Sequence, residues 1–319
     1  MALNGLLDIE VGVPNPSELV EFWVRHGLIH TVDGVLGTID RPTQIGVQQA
    51  PYRQLTRLHL SCESEADISA ISTRLDSAGI SYKATSTDVS CIDPVFGHRV
   101  VVEAVEPHPL TPAQSRAING PGQQMRMNSR AEAVVNESPR RPRRVGHVVL
   151  GTPRVADALN FYLDILGFRI SDQILKGVAT FARCESDHHN LLIQPAKTSY
   201  LNHYALEMDD IDAIGRAGTA VVRERQDASV IGVGRHNLGS NLFWYLTDPS
   251  GTMFEFFADM DQIVNDEVWE REVGRRDWEG ADGPAGFSVW GPPTPPPAFF
   301  NPPDLSHIAA GREAQGLTA

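Results

Sequence analysis

Leu6 to Val13 reads Leu-Leu-Asp-Ile-Glu-Val-Gly-Val, a partial alternation that predicts a strand. Pro14-Asn-Pro-Ser17 then opens a predicted helix, with Ser17 as its cap and Leu19, Val20, Phe22 and Trp23 as its apolar stripe. Short strands are predicted at Val35–Thr38 and Arg57–Ser61. A helix over Glu65–Ala78 carries Ile68, Ile71 and Leu75 on one face and stops at Gly79. Strands at Tyr82–Thr87 and Arg99–Val105 complete a β-α-β-β-β order.

The same order then returns. Val145–Gly151 predicts a strand and Arg154–Leu166 a helix ending at Gly167; Ile170, Phe181 and Leu191–Gln194 fall on strands. His203–Met208 is a strand, Ile211–Ala217 a helix, and Gly234 leads through a loop into strands at Asn241–Leu246 and Thr252–Phe257. Two landmarks align the halves: Val-Gly-Val-Pro14 with Leu-Gly-Thr-Pro153, and Asp93-Pro-x-x-Gly97 with Asp248-Pro-Ser-Gly251. The Asp-Pro stretches are turns, since Pro presets one backbone angle and Gly permits a positive one.

Four segments follow: a module over residues 1–110, a linker over 111–143, a second module over 144–262, and a tail over 263–319. The linker, rich in Pro, Gly, Asn, Gln and Arg, predicts some helix near Pro112–Ala117, and its Arg140-Arg-Pro-Arg-Arg144 run reads as a solvated connector. In the tail, Val264–Trp278 is charged and helix-compatible, and Trp290-Gly-Pro-Pro-Thr-Pro-Pro-Pro-Ala-Phe-Phe300 is an extended proline segment with aromatic anchors. Such a segment straps across a domain surface, or acts as a lid or an oligomer contact.

With 319 residues the chain can hold two real cores. A net charge of −13 disfavours nucleic acid and anionic membranes, whose binding rests on Lys/Arg clusters. Three widely spaced cysteines (Cys62, Cys91, Cys184) suggest neither a disulfide framework nor a thiolate zinc site, which fits a cytoplasmic setting. No signal peptide or membrane span is legible.

The chemistry gathers in the second half. Glu255 stands on a strand among Met253, Phe254, Phe256 and Phe257, and a carboxylate so placed must be paired, protonated or bound to a cation. His147 lies in the first strand of the second repeat and His203 opens a later one. Singly, each histidine reads as a hydrogen-bonded core residue. Together with Glu255 they form the two-imidazole, one-carboxylate set that leaves open positions on a non-haem Fe(II).

Gly234-Arg-His236, Trp244-Tyr245, Asp248-Pro-Ser-Gly251 and Glu255 resemble the signature of the type I extradiol ring-cleaving dioxygenases, built from modules of the vicinal oxygen chelate superfamily. Nine residues separate His236 from Tyr245, and ten separate Tyr245 from Glu255, spacings that suit that family. The resemblance covers roughly residues 5–260. It implies an α+β fold of two tandem modules, each of paired βαβββ motifs forming a curled mixed sheet around a cleft, only the second active. It further implies Fe(II), or Mn(II), held by His147, His203 and Glu255, with His189 as acid–base, and His236 and Tyr245 as hydrogen-bond partners of the substrate oxygens. Phe181 becomes a wall of the ring pocket, and His188, placed on a strand, faces away from His189 as a structural residue. The first module holds Asp8, Arg57 and Val101 at the ligand positions and is a structural partner. Trp244, where the family favours an aliphatic residue or Phe, is expected to alter packing, while Leu238 and Gly239 leave open which groups orient His236. The substrates are a small aromatic diol and O2, the assembly a homo-oligomer. The competing readings are a redox-inert-metal isomerase or transferase like glyoxalase, and a non-catalytic module that binds a small aromatic.

Overall fold

The computed structural model describes residues 3–32, 34–113, 116–135, 141–174, 179–273 and 287–317. Four βαβββ units follow one another, and each consecutive pair shares one mixed sheet. The first sheet places Leu3–Val13 and Gln54–Cys62 side by side at its centre. Their flanking partners, Ile45–Gln49 and Arg99–Ala104, run parallel to them. The second sheet repeats this: Arg144–Thr152 and Tyr200–Glu207 pair antiparallel at the centre, flanked in parallel by Leu191–Pro195 and Met253–Ala258. Both central strands of the second sheet are buried almost throughout, as strands covered on both faces are.

The α+β class and the tandem repeat are therefore present as expected. Sequence missed several short or polar strands: Ile29–Val32, Ile45–Gln49, Asp88–Ile92 and Ser229–His236. The last of these matters, because His236 closes a strand instead of sitting in a loop. The helix opened by Pro14-Asn-Pro-Ser17 starts at Pro16, with Asn15 at its cap and no side-chain cap bond. Pro at the first helical position fixes φ for helix entry, so Ser17 lies one step inside. The helix expected over Arg154–Leu166 begins at Val155 and continues as wider π turns over Asn160–Leu166, ending at left-handed Gly167. Among the described residues of the linker, regular helix is confined to Glu132–Val135; of the helix expected near Pro112–Ala117, residues 114–115 lie outside the described residues and the rest is irregular.

The arginine run is solvated only in part, at Arg141. Arg143 bridges Asp40 and Asp209 at 2.6 and 2.8 Å, and Arg144 is buried among Glu185, Asp187 and Glu207 at 2.5–2.9 Å. Arg140 lies outside the described residues.

The modules meet through aromatic rings. Trp23, on the first module's helix, is fully buried against Phe254 and Phe256, with ring centres 4.7 and 6.3 Å away. Its indole donates to the Tyr204 hydroxyl, which donates to Asp248 in the second Asp-Pro turn. The first Asp-Pro turn is tied likewise: Asp93 accepts from Val95 and Phe96 and from the hydroxyl of Tyr162 in the second module. Each turn thus anchors a tyrosine as well as reversing the chain.

The tail packs along one edge. Of the helix expected over Val264–Trp278, Asp266–Val273 is helical and 274–278 lie outside the described residues. Ser288–Trp290 adds a strand to Ser229–His236. The helix Leu305–Ala314 settles between the modules, its Ile308 packed with Tyr52 and Tyr200. Among the described residues no helix is long and apolar enough to cross a membrane.

Trp23→Ala should lower the unfolding free energy by about 3–5 kcal/mol, the usual cost of truncating a large buried aromatic. Its exposed neighbour Val24, changed to Ala, should stay within about 0.5 kcal/mol. Urea midpoints of the two variants measure the difference.

Candidate metal centre

Ala205 is the geometric centre of the site. On its strand it pairs with His147 on one side and Glu255 on the other, and His203 lies two residues along, on the same face. Three strands thereby turn His147, His203 and Glu255 toward one point, and the small Ala205 side chain leaves the space between them open. One ligand atom from each of the three lies within 4.8 Å of the others. His147 Nε2 is 2.9 Å and His203 Nε2 3.6 Å from Glu255 Oε2. All three side chains are buried.

Burial alone would raise the Glu255 carboxyl, but His147 beside it, with help from His203 and His236, holds it well below the usual carboxylate range. Burial pushes His203 down to about 4, against the pull of Glu255. The carboxylate is therefore charged and the imidazole neutral. His203 Nε2, pointed at Glu255, has no hydrogen-bond partner. A buried bare nitrogen beside a buried carboxylate and a second imidazole is a donor set that fits a divalent cation.

Two asparagines support this set, and sequence reasoning passed over both. Asn241 donates to Glu255 Oε1 at 3.0 Å. Asn202 meets His203 Nδ1 through Oδ1 at 2.8 Å. Neighbouring strand residues ordinarily face opposite ways, and a register shift between Leu201 and His203 is what lets these two side chains meet.

A second ring of groups surrounds the first. The Tyr245 hydroxyl lies 2.9 Å from His236 Nε2, while His236 Nδ1 donates to the Phe287 carbonyl at 2.8 Å. That tail carbonyl is what orients His236. His236 stacks on Phe243 at 4.0 Å, and Phe299 from the tail stands edge-on to Tyr245 at 5.1 Å. Burial and then the nearby Glu255 raise the Tyr245 phenol well above its ordinary value, so it is a donor. Trp244, one residue from Tyr245, turns to the opposite face, where its ring covers Gly218.

His189 lies tilted against His147 with ring centres 4.3 Å apart, and Phe181 stands edge-on to it at 5.0 Å. His188 does not face away from His189 as expected. Residues 184–190 form a loop and not a strand, so no alternation separates the pair. His188 Nδ1 lies 3.1 Å from His189 Nδ1, and His188 Nε2 lies 2.8 Å from Asp172 Oδ2. Asp172, His188 and His189 thus form a hydrogen-bonded line ending beside His147. Burial, reinforced by His147 and His188, pushes His189 well below the ordinary histidine value, so it is a neutral base and not a half-protonated one.

Residues 144–256 match the Glyoxalase/Bleomycin resistance protein/Dioxygenase superfamily. Over 259 residues the chain is 31% identical to metapyrocatechase 2 of Cupriavidus necator, a span covering 76% of this chain and 74% of that relative. The chain belongs to the type I extradiol dioxygenases. Among solved structures, homoprotocatechuate 2,3-dioxygenase from Arthrobacter globiformis superposes with a TM-score of 0.72 at 18% identity, covering 93% of this chain and 90% of that one. A Mn(II)-bound glyoxalase from Novosphingobium aromaticivorans gives 0.67 at 21%, covering 94% and 95%. Identities this low speak for a shared fold alone.

Within this two-module architecture, the first module shows what the same backbone does with other side chains. Asp8 pairs with His59 and His59 with Val101, while Arg57 lies two residues back, so Asp8, Arg57 and Val101 occupy the places of His147, His203 and Glu255. Asp8 is bound to Arg57 at 2.7 Å and to His59 at 2.9 Å. A carboxylate neutralised by guanidinium offers nothing to a cation, and Val101 offers no donor.

Asn241→Ala removes a donor from a fully buried carboxylate oxygen. It should cost about 1–3 kcal/mol of stability, the penalty for leaving such a group unsatisfied. The urea midpoint of the metal-free chain checks it.

Proposed function

We propose that this chain cleaves the ring of a catecholic or polyhydroxylated aromatic next to its paired hydroxyls, using O2 and placing both oxygen atoms in the product, with Fe(II) held by His147, His203 and Glu255. The observation that carries the reading is the bare, buried His203 Nε2 facing Glu255 on the same sheet face as His147. Two imidazoles and one carboxylate suit Fe(II) with open positions, and suit Mn(II) as well. Supporting it is the identity with metapyrocatechase 2 across both modules.

Such an ion supplies positions for a diol and O2 and makes a bound hydroxyl more acidic. The rest is work for the chain's own residues. Tyr245 and His236, in contact at 2.9 Å, form a hydrogen-bonding pair for a substrate oxygen. His189 is neutral and can take a proton from a hydroxyl and return it. The line from Asp172 through His188 holds the His189 ring and compensates the charge it gains. Phe181, edge-on to His189, walls a pocket for a flat ring.

In this reading residues 144–262 are the catalytic module, 1–110 its structural partner, and the working form a cytoplasmic homo-oligomer. An isomerase with a redox-inert metal has no task for His189, His236 and Tyr245 together, and a simple binding module has none for a bare ligand nitrogen.

Anaerobic loading with Fe(II), followed by oxygen uptake over a panel of catechols with a yellow product, tests the activity. His203→Ala should lose the metal and all turnover. His189→Phe should keep the metal and turn over about 10²–10⁴-fold more slowly, the usual contribution of a positioned acid–base group. Equal metal loss in both variants would contradict the roles, as would a chain that takes up zinc and consumes no oxygen.

A further inference from the structure

The tail reaches the site with its backbone. The Phe299 carbonyl accepts from Asn202 Nδ2 at 2.8 Å, in a position where it can only accept. That contact fixes which end of the Asn202 amide is which. Its nitrogen faces the tail and the Tyr200 hydroxyl (2.9 Å), so its oxygen faces His203. An amide oxygen also only accepts, so His203 Nδ1 must carry a proton, and in the neutral ring Nε2 is then bare. The side of the ring on which a ligand histidine keeps its proton is thus decided by a carbonyl 97 residues beyond Asn202.

The tail is held in place independently of the site. Arg53, buried in the first module, grips Asp304 with two hydrogen bonds at 2.6 and 2.9 Å and donates a third to the Leu201 carbonyl, next to Asn202. Arg312 donates to the carbonyls of Val95 and Phe96 in the first module at 2.9 and 2.7 Å. The backbone at Gly311 lies against the Tyr52 ring, where a β-carbon would stand 2.2 Å from a ring atom. The first module, which has no ligand set of its own, thereby supplies the anchor.

We infer that the tail is a positioning element of the centre: docked on the first module through Asp304, it uses the Phe299 carbonyl and Asn202 to keep His203 Nε2 free for a divalent cation. The inference rests on the ligand assignment made above, and Asn202 acts only through His203. Groups that orient a ligand histidine in this way typically change metal affinity 10- to 100-fold.

Two readouts on the full chain test it. Nitrogen NMR of the metal-free protein should show His203 protonated at Nδ1 in the wild type and a mixture of tautomers in Asn202→Ala. Asp304→Ala, which alters no group of the centre, should shift His203 in the same direction. Calorimetric titration with Mn(II) should show affinity falling about 10- to 100-fold in Asn202→Ala and less in Asp304→Ala. An unchanged His203 tautomer with Mn(II) affinities within twofold of wild type overturns the inference, even if both variants are less stable. Failure of the wild-type chain to bind Mn(II) overturns the ligand assignment instead, and the tautomer shift still decides whether the tail controls His203.

Discussion

A charged carboxylate with no exposure to water is the constraint that the second module is built to meet. Moving such a group out of water costs several kcal/mol even after relaxation, and only close partners offset it. Glu255 receives His147 on one oxygen and Asn241 on the other. Its strand serves two ends at once. Met253, Glu255 and Phe257 face the site, while Phe254 and Phe256 face the first module and pack on Trp23. Because side chains alternate with period two, slipping this strand by one residue would exchange the two sets. The register that seals the module interface is therefore the same register that aims the carboxylate.

The duplicated architecture shows how little backbone geometry decides on its own. Both sheets place three residues at equivalent points, and in the first the charges cancel within the triangle of Asp8, Arg57 and His59. In the second, two imidazoles stand beside one carboxylate and a donor atom is left over. The difference lies in charge type. Arginine stays protonated at any working pH and consumes the carboxylate, whereas a neutral imidazole can share it with a cation.

Much of this was legible in the sequence because it is local or repeated. A glutamate on an aromatic strand, two histidines at matching places of one repeat and two Asp-Pro-x-Gly landmarks fix the module and its ligand candidates from residue type alone. What stayed hidden depends on contacts across the fold. Asn202 looks like an inward or outward strand residue until the register shift beside it is known. His188 was assigned to the wrong side because a seven-residue loop was taken for a strand. Arg144 looks solvated until three acidic residues from other elements close around it. Phe287 and Phe299 act through their carbonyls, which no residue type can announce.

Hydrogen-bond direction ties these hidden contacts together. A carbonyl holds the proton of His236 on Nδ1, an amide oxygen does so for His203, and Asp172 accepts from His188 Nε2. His188 Nδ1 and His189 Nδ1, 3.1 Å apart, share one proton between them. Two rings, His203 and His236, are thus arranged with an N–H spent on the surrounding protein; the Nε2 of His236 meets the Tyr245 hydroxyl and that of His203 has no partner. His147 is the exception, since its Nε2 meets Glu255 and its buried Nδ1 has no partner. A cluster of lone pairs around a buried carboxylate is electrostatically poor as a resting core, where unpaired polar atoms cost free energy. A cation would relieve that cost, a relief for which the first module has no need, its carboxylate being already paired with Arg57.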